Sequence, residues 1–213
     1  MRISALSALL ALLSFTAGAA AEISVTVRTA KGEAVADAVV SLLPLDAPAP
    51  APAAEAAAEI AQQNQEYTTY VTVVQTGTRV VFPNRDNVQH HVYSLSKAKK
   101  FELPLYNPGS AASILFDVSG VVALGCNIHD WMLAYLVVVP TPFFAKTGAA
   151  GAARITAPAG RYRLELWHPR LAAALTQEIA LPADAAAAQE FTLTLKPDRR
   201  IRRGPDSKSG IYH

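Results

Sequence analysis

The sequence predicts an all-β chain, and three observations carry that prediction. Short runs alternate apolar and polar residues, as in Ile23-Ser24-Val25-Thr26-Val27 and again from Tyr162 to Trp167. Turn residues separate these runs at intervals of about eight to twelve residues, the spacing of a sandwich or barrel. The 213-residue chain is 51% hydrophobic and only 17% charged, so it can bury a core large enough to hold such sheets together.

Taken in order, the elements divide the chain into segments. Residues 1–21 carry a short positive start at Met1-Arg2, an apolar run from Ala5 to Phe15 and small residues Ala19-Ala20-Ala21. That is the pattern of a cleaved signal peptide, and it predicts export to an oxidising compartment, most simply a bacterial periplasm. Residues 22–45 read as a pair of strands that turn at Lys31-Gly32 and resume from Val35 to Leu43. Residues 46–63 change composition sharply: Pro48, Pro50 and Pro52 alternate with alanine, and Ala53 to Ala61 has the composition of one or two helical turns. This segment is expected to be a surface linker, because proline removes ladder donors and little in it can pack. Residues 64–141 return to β patterning, with Val71 and Val73 before Gly77, Val80 and Phe82 before the polar turn Pro83 to Asn87, then Ile114 to Phe116, Val121-Val122 and Leu136 to Val139. Residues 142–197 supply further strands at Ile155, Tyr162 to Trp167, Thr176 to Leu181 and Phe191 to Leu195. Residues 198–213 form a polar tail, expected to be disordered.

Charge and cysteine usage exclude several functions. The net charge of +2 rules out a polyanion-binding surface spread over the molecule, so no nucleic-acid partner is expected. The charge is uneven: residues 196–213 carry +4, while 22–195 carry −3. Such a tail is either a solvated end or a contact for an acidic partner or an anionic membrane surface. The single cysteine, Cys126, excludes an intrachain disulfide framework, a four-cysteine iron–sulfur cluster and a multi-cysteine zinc site. No Ser/His/Asp grouping, carboxylate pair or phosphate-cradling loop stands out, so substrate turnover is not expected.

The chemistry concentrates in Gly125-Cys126-Asn127-Ile128-His129-Asp130-Trp131-Met132. Cys-x-x-His-x-x-Met offers a thiolate, an imidazole and a thioether within one tight loop, and two soft sulfurs with a nitrogen suit copper better than magnesium, calcium or structural zinc. Upstream, Asn87-Val88-Gln89-His90-His91-Val92-Tyr93 reads as a strand leaving a polar turn. Adjacent strand residues face opposite ways, so if Val92 packs in the core, His90 shares its face and His91 points away. Met132 reads either as a weak axial ligand or as core filler. Trp131 reads either as an aromatic flank to His129 or as loop packing. Asn84 and Asp86 either bond across the ligand loops or cap their own turn.

These residues together resemble a known family. Val80-x-Phe82-x-Asn84, His90-x-Val92 and Cys126-x-x-His129-x-x-Met132 are similar to the copper motifs of the cupredoxins, the plastocyanin and amicyanin family, and the short ligand loop resembles amicyanin most. Phe82-Pro83-Asn84, His90 to Ser94, Phe101-Glu102-Leu103 and Leu124 to Asp130 look like the periplasmic cupredoxin-containing group labelled methylamine utilization proteins. The resemblance implies a Greek-key β-sandwich over 64–141 and one type 1 copper ion held by His90, Cys126, His129 and Met132. It also implies supporting roles for Asn84, His91 and Asn127, with backbone donors such as the His91 amide directed at the Cys126 sulfur. Tyr67-Thr68-Thr69-Tyr70 departs from the Phe-x-Pro often found before this strand, leaving the sheet edge there less defined. The function implied is one-electron transfer with a periplasmic redox protein, a cytochrome or an oxidoreductase. The alternative is copper delivery to an accepting protein such as a periplasmic oxidase. The flanking segments 22–45 and 142–197 resemble the two halves of a carboxypeptidase regulatory-like β-sandwich. They read either as one such module with the cupredoxin inserted in it, or as extra strands decorating the cupredoxin.

Overall fold

A computed structural model describes residues 20–53, 56–183, 185–198 and 200. The expectations for residues 1–19 and 201–213, which include most of the signal peptide and of the basic tail, lie outside the described residues. Every regular element among the described residues is a strand.

The chain opens with β1 (Ala20–Thr29) and β2 (Val39–Pro44). Strand β1 begins at Ala20, before the expected boundary at Glu22, and Ala21 is buried opposite Ala157. There follow β3 (Ala57–Glu59), β4 (Gln62–Gln63), β5 (Glu66–Tyr67), β6 (Val71–Gln75), β7 (Thr78–Pro83), β8 (His90–Ser96), β9 (Lys99–Tyr106), β10 (Ala111–Phe116), β11 (Gly120–Gly125) and β12 (Leu133–Val139). The last strands are β13 (Phe144–Lys146), β14 (Ala152–Pro158), β15 (Gly160–Trp167), β16 (Leu175–Leu181) and β17 (Ala187–Leu193).

Pairing sorts all of these strands except β4 and β5, which form a hairpin of their own, into two sandwiches. Strands β14, β1 and β17 make one sheet and β13, β2, β15 and β16 another, so the opening strands pair with the closing ones across more than a hundred residues of chain. Between these two sheets lies a core that includes Ile23, Val25, Val27, Leu42, Leu164 and Leu166, the inward members of alternating strands. The second sandwich faces a sheet of β10, β7 and β3 with one of β6, β12, β11, β8 and β9. Connections β6 to β7, β7 to β8 and β9 to β10 switch sheets, which is Greek-key winding. Its core takes Val80 and Phe82 from β7, Val92 from β8, Phe116 from β10, Val122 and Leu124 from β11, and Ala134, Leu136 and Val138 from β12.

The segment expected to be a linker is only partly one. Residues 57–63 are neither helical nor loose: β3 runs parallel to β7, the Ile60 amide donates to Val81 O, and Ile60, Ala61 and Gln62 are fully buried. Alanine gives little hydrophobic contrast, so the alternation of Ala58, Ile60 and Gln62 is faint in sequence. The strand is specified instead by the edge that β7 leaves open, which wins over the modest helix propensity of the alanines.

A third apolar cluster joins the sandwiches. Val39 packs with Val71, Val137 and Val139, flanked by Tyr135 and Trp167 with ring centroids 5.6 Å apart. The Lys146 ammonium donates to Val71 O across the same seam and pairs with Asp37.

The β13 to β14 turn shows how tightly the first sandwich closes. Gly151 has φ +71° and accepts from the Val27 amide, and a Cβ there would lie 2.4 Å from Val27 O and 2.9 Å from Val35 N. Gly151→Ala should therefore destabilise the protein by about 2–3 kcal/mol, through a side chain in left-handed conformation with no room for it. A lowered urea midpoint checks this, and an unchanged midpoint would refute the packing argument.

Candidate metal centre

The site grows out of strand alternation. In β11 the inward residues are Val122 and Leu124, and the next inward position is Cys126. In β12 they are Ala134, Leu136 and Val138, and the preceding inward position is Met132. The ladder ends at Gly125 opposite Leu133, so one further step of the same register sets Cys126 opposite Met132. The loop 126–132 is thus a hairpin connection whose two sulfur-bearing residues both enter the core, at 4% and 3% exposure. Within the loop the Met132 amide donates to His129 O, a turn that brings His129 back over the sandwich end.

His90 arrives from β8 on the same face as Val92 and is fully buried. The β8 and β9 register shifts between His90 and Val92, a bulge that leaves His91 without a ladder partner. His90, Cys126 and His129 come together with one ligand atom from each lying within 4.8 Å of the others, all three buried. The Cys126 sulfur is 3.7 Å from His129 Nδ1, and the two imidazole centroids are 4.9 Å apart.

The surrounding groups orient these donors. His90 Nε2 lies 2.6 Å from an Asp86 carboxylate oxygen, which fixes the ring and leaves Nδ1 buried with no hydrogen-bond partner in the protein. Asp86 also accepts from the amides of Asn64 and Gln65, at 2.5 and 2.8 Å. Those two residues form the two-residue turn between β4 and β5, and both have φ of +57°, the left-handed conformation of a type I′ hairpin. Asn64 tolerates that conformation but Gln65 does not favour it, so the carboxylate compensates the less suited position. Burial opposes ionisation of Asp86, but the Gln65, His90 and Asn64 hydrogen bonds outweigh it and hold its pKa below the ordinary carboxylate value. Burial likewise opposes charging His90, yet the neighbouring Cys126 sulfur and Asp86 carboxylate raise its pKa. At Cys126 burial pushes the pKa up. The nearby His90 imidazole and the backbones of His91, Ile128 and His129 favour the charged sulfur and bring the net shift down, toward the thiolate.

Asn84 is buried one layer back: Nδ2 donates to Val88 O at 2.8 Å and Oδ1 accepts from the Asp86 amide, so it shapes the turn that delivers Asp86 and His90. His91 is buried on the other face, 2.8 Å from Glu102, with Asn127 at 3.4 Å; neither His91 nor Asn127 adds a side chain to the donor cluster. Trp131 lies beside His129 at 5.3 Å between centroids, and its indole N–H donates to Gln65 O. Tyr67 donates to Gly125 O next to Cys126 and is strongly desolvated, which raises its pKa. The hairpin 62–67 therefore supports His90 through Asp86, His129 through Trp131 and Cys126 through Tyr67. Sequence reading placed Asp86 and Trp131 as open alternatives and missed the hairpin, whose only signal was the polar Gln62 to Glu66 run beyond the alanines.

Two imidazoles and a thiol, all three residues buried, are the donor types that copper favours, and the partnerless Nδ1 of His90 is what a bound ion would satisfy. The donor set fits copper.

Asp86→Ala should cost about 2–3 kcal/mol, since it strips a charged acceptor from two amides and an imidazole. The sign with pH follows from the depressed pKa of Asp86: its contribution is fully present above about pH 4 and is lost as pH falls through the lower folded value. The stability difference between wild type and Asp86→Ala should then shrink in acid; urea unfolding at a series of pH values checks it.

No family model and no curated protein matches this chain. Solved structures do. A purple cupredoxin from Nitrosopumilus maritimus is 26% identical over 39% of this chain and 99% of its own, with a TM-score of 0.34. A reduced Cu(I) form of an amicyanin variant is 25% identical over 46% of this chain and 97% of its own, with a TM-score of 0.36. A copper-containing nitrite reductase from Thermus scotoductus is 20% identical over 46% of this chain and 25% of its own, with a TM-score of 0.37. On its own architecture, two facing Greek-key sheets with a buried His, Cys and His cluster at the end of the β11 to β12 hairpin, the second sandwich is cupredoxin-like.

Proposed function

We propose that the protein is a mononuclear copper protein of the type 1 class that carries single electrons in the periplasm. The observation that carries this reading is the buried cluster of His90, Cys126 and His129, with His90 Nδ1 left without a protein partner while Asp86 holds the opposite ring nitrogen. When bound, copper supplies one-electron chemistry by passing between Cu(II) and Cu(I).

The chain's own residues would serve that chemistry in separable ways. His90, Cys126 and His129 would hold the ion through two imidazole nitrogens and a thiolate, and Met132, opposite Cys126 in the extended register, would offer its thioether as a weaker fourth donor. Cys126 is already biased toward thiolate, so the ion displaces little proton affinity on entering. Backbone hydrogen bonds to its sulfur from His91, Ile128 and His129 withdraw electron density and favour the reduced state. The packed core beneath the loop and the Asp86 and Trp131 braces resist ring rotation, so both oxidation states meet nearly the same donors. Exposed Asn127, Ile128 and Asp130 on the loop bring the site close to a docking surface for a cytochrome or oxidoreductase.

Reconstitution with Cu(II) tests the reading. The wild type should show intense visible thiolate-to-copper absorption and reversible one-electron voltammetry. Cys126→Ala should lose the band completely. Met132→Leu should keep the band and raise the reduction potential, because a hydrocarbon offers Cu(II) no donor in place of the thioether. A wild type that binds Cu(II) without the band overturns the type 1 assignment, and rapid transfer of the metal to an apo-acceptor with sluggish electron exchange favours delivery over electron carriage.

A further inference from the structure

The outer face of the sheet formed by β6, β12, β11, β8 and β9 is covered at one end and bare at the other. Tyr135, Val137 and Val139 of β12 meet the first sandwich, but at the next outward position toward the donor loop Leu133 faces solvent, 37% exposed. Beside it on that face lie Ala123 and Gly125 of β11 and Tyr93 and Leu95 of β8, and these residues line an open cleft of about 370 Å³. Leu95 is 74% exposed, the most open large apolar side chain among the described residues. Single exposed leucines are ordinary, but a contiguous apolar surface that continues a buried interface marks a further contact.

Two features define what would cover it. At the rim, Lys97 follows β8 and Lys100 stands opposite Leu95 on β9; both are exposed, and among the described residues neither makes an ion pair. The neighbouring Lys99 is taken up by Asp117 and Glu102 by His91, so the free charge at this rim is positive. At the base, the Tyr93 ring lies on Gly125: a Cβ there would stand 2.8–2.9 Å from Tyr93 Cζ, Cε1 and Oη, so any side chain at 125 would push the ring away. Gly125 precedes Cys126 and pairs with Tyr93 in the ladder, so the half-buried ring links the cleft to the backbone of the donor loop.

We infer that this bare sheet end is a docking surface for an acidic one-electron protein, separate from the tip of the donor loop. The partner's redox class rests on the electron-carrier reading; its surface, an apolar centre ringed by carboxylates, follows from the cleft and its lysines. In such a contact the apolar centre supplies most of the affinity and the charged rim steers and orients. The loop tip exposes Asn127, Ile128 and Asp130 instead, so the two surfaces suit partners of different charge.

The test is an amide NMR titration with a strongly acidic single-haem cytochrome at low salt, with a basic single-haem cytochrome as control. It is run on the copper-loaded, reduced protein and on Cys126→Ala protein that has been given no copper. The expected result, in either form, is saturable binding of the acidic cytochrome that shifts the amides of Tyr93, Leu95, Lys97, Lys100, Ala123 and Leu133. Lys97→Glu combined with Lys100→Glu should weaken it about tenfold, and Leu95→Ser should weaken it comparably. All three side chains are exposed, so these changes leave both cores untouched. No binding to either form, shifts confined to residues 127–131, or equal binding of the basic cytochrome at this face overturns the proposal. So does a homodimer in sedimentation that Leu95→Ser dissolves, which would assign the face to a second copy of the chain. Because docking is also read without copper, its failure is separate from failure of the type 1 reading.

Discussion

The Asp86 carboxylate is the interaction on which the rest of the site depends. It accepts from two backbone amides of a left-handed turn and sits against the Nε2 of His90, so one side chain joins the hairpin 62–67 to a member of the donor cluster on β8. The logic is that of a carboxylate–histidine pair behind a metal: the outer partner fixes tautomer and ring angle, and the inner nitrogen is left free to bind. The same hairpin returns through Trp131 to His129 and through Tyr67 to the backbone before Cys126. Each donor therefore has a support that converges on a few residues of chain, and their relative positions are set together rather than one by one.

The second constraint is the register of β11 and β12. Period-2 alternation sends Cys126 inward because Val122 and Leu124 are inward, and the pairing of Gly125 with Leu133 sends Met132 to the opposite position. A slip of one residue in either strand would turn that strand's sulfur-bearing side chain to solvent along with its core residues, so the hydrophobic core and the donor set enforce the same register. This is why a thiol can be kept available in a protein with no second cysteine to trap it: the fold hides it at 4% exposure and surrounds its sulfur with donors.

Much of this was legible in the sequence because it rests on local patterns. The Cys-x-x-His-x-x-Met spacing and the strand parity of His90 with Val92 point to three side chains that the fold does bring together. What was not legible depends on contacts between distant segments with weak local patterns. Residues 57–63 read as linker because alanine alternation carries almost no hydrophobic contrast, and only the open edge of β7 makes a strand of them. Asp86 could be seen as a turn residue, but its role follows from both Asn64 and Gln65 taking positive φ, which Asn tolerates but Gln does not announce.

The placement of the other sandwich follows from β12 having two faces with two tasks. Its inward residues Ala134, Leu136 and Val138 support the donor loop, while Tyr135, Val137 and Val139 meet Val39, Val71 and Trp167 at the seam between the sandwiches. A strand solvated on its outer face can twist or fray at its end, and here that end carries Met132. Packing both faces converts β12 into an internal strand, and Lys146 reinforces the seam by bonding Val71 O on the neighbouring β6. The pairing of 20–44 with 144–193 then has a mechanical consequence for the site. The strand leaving the donor loop runs directly into the chain segment that closes the first sandwich, so any displacement of Met132 along β12 would be resisted by both hydrophobic cores.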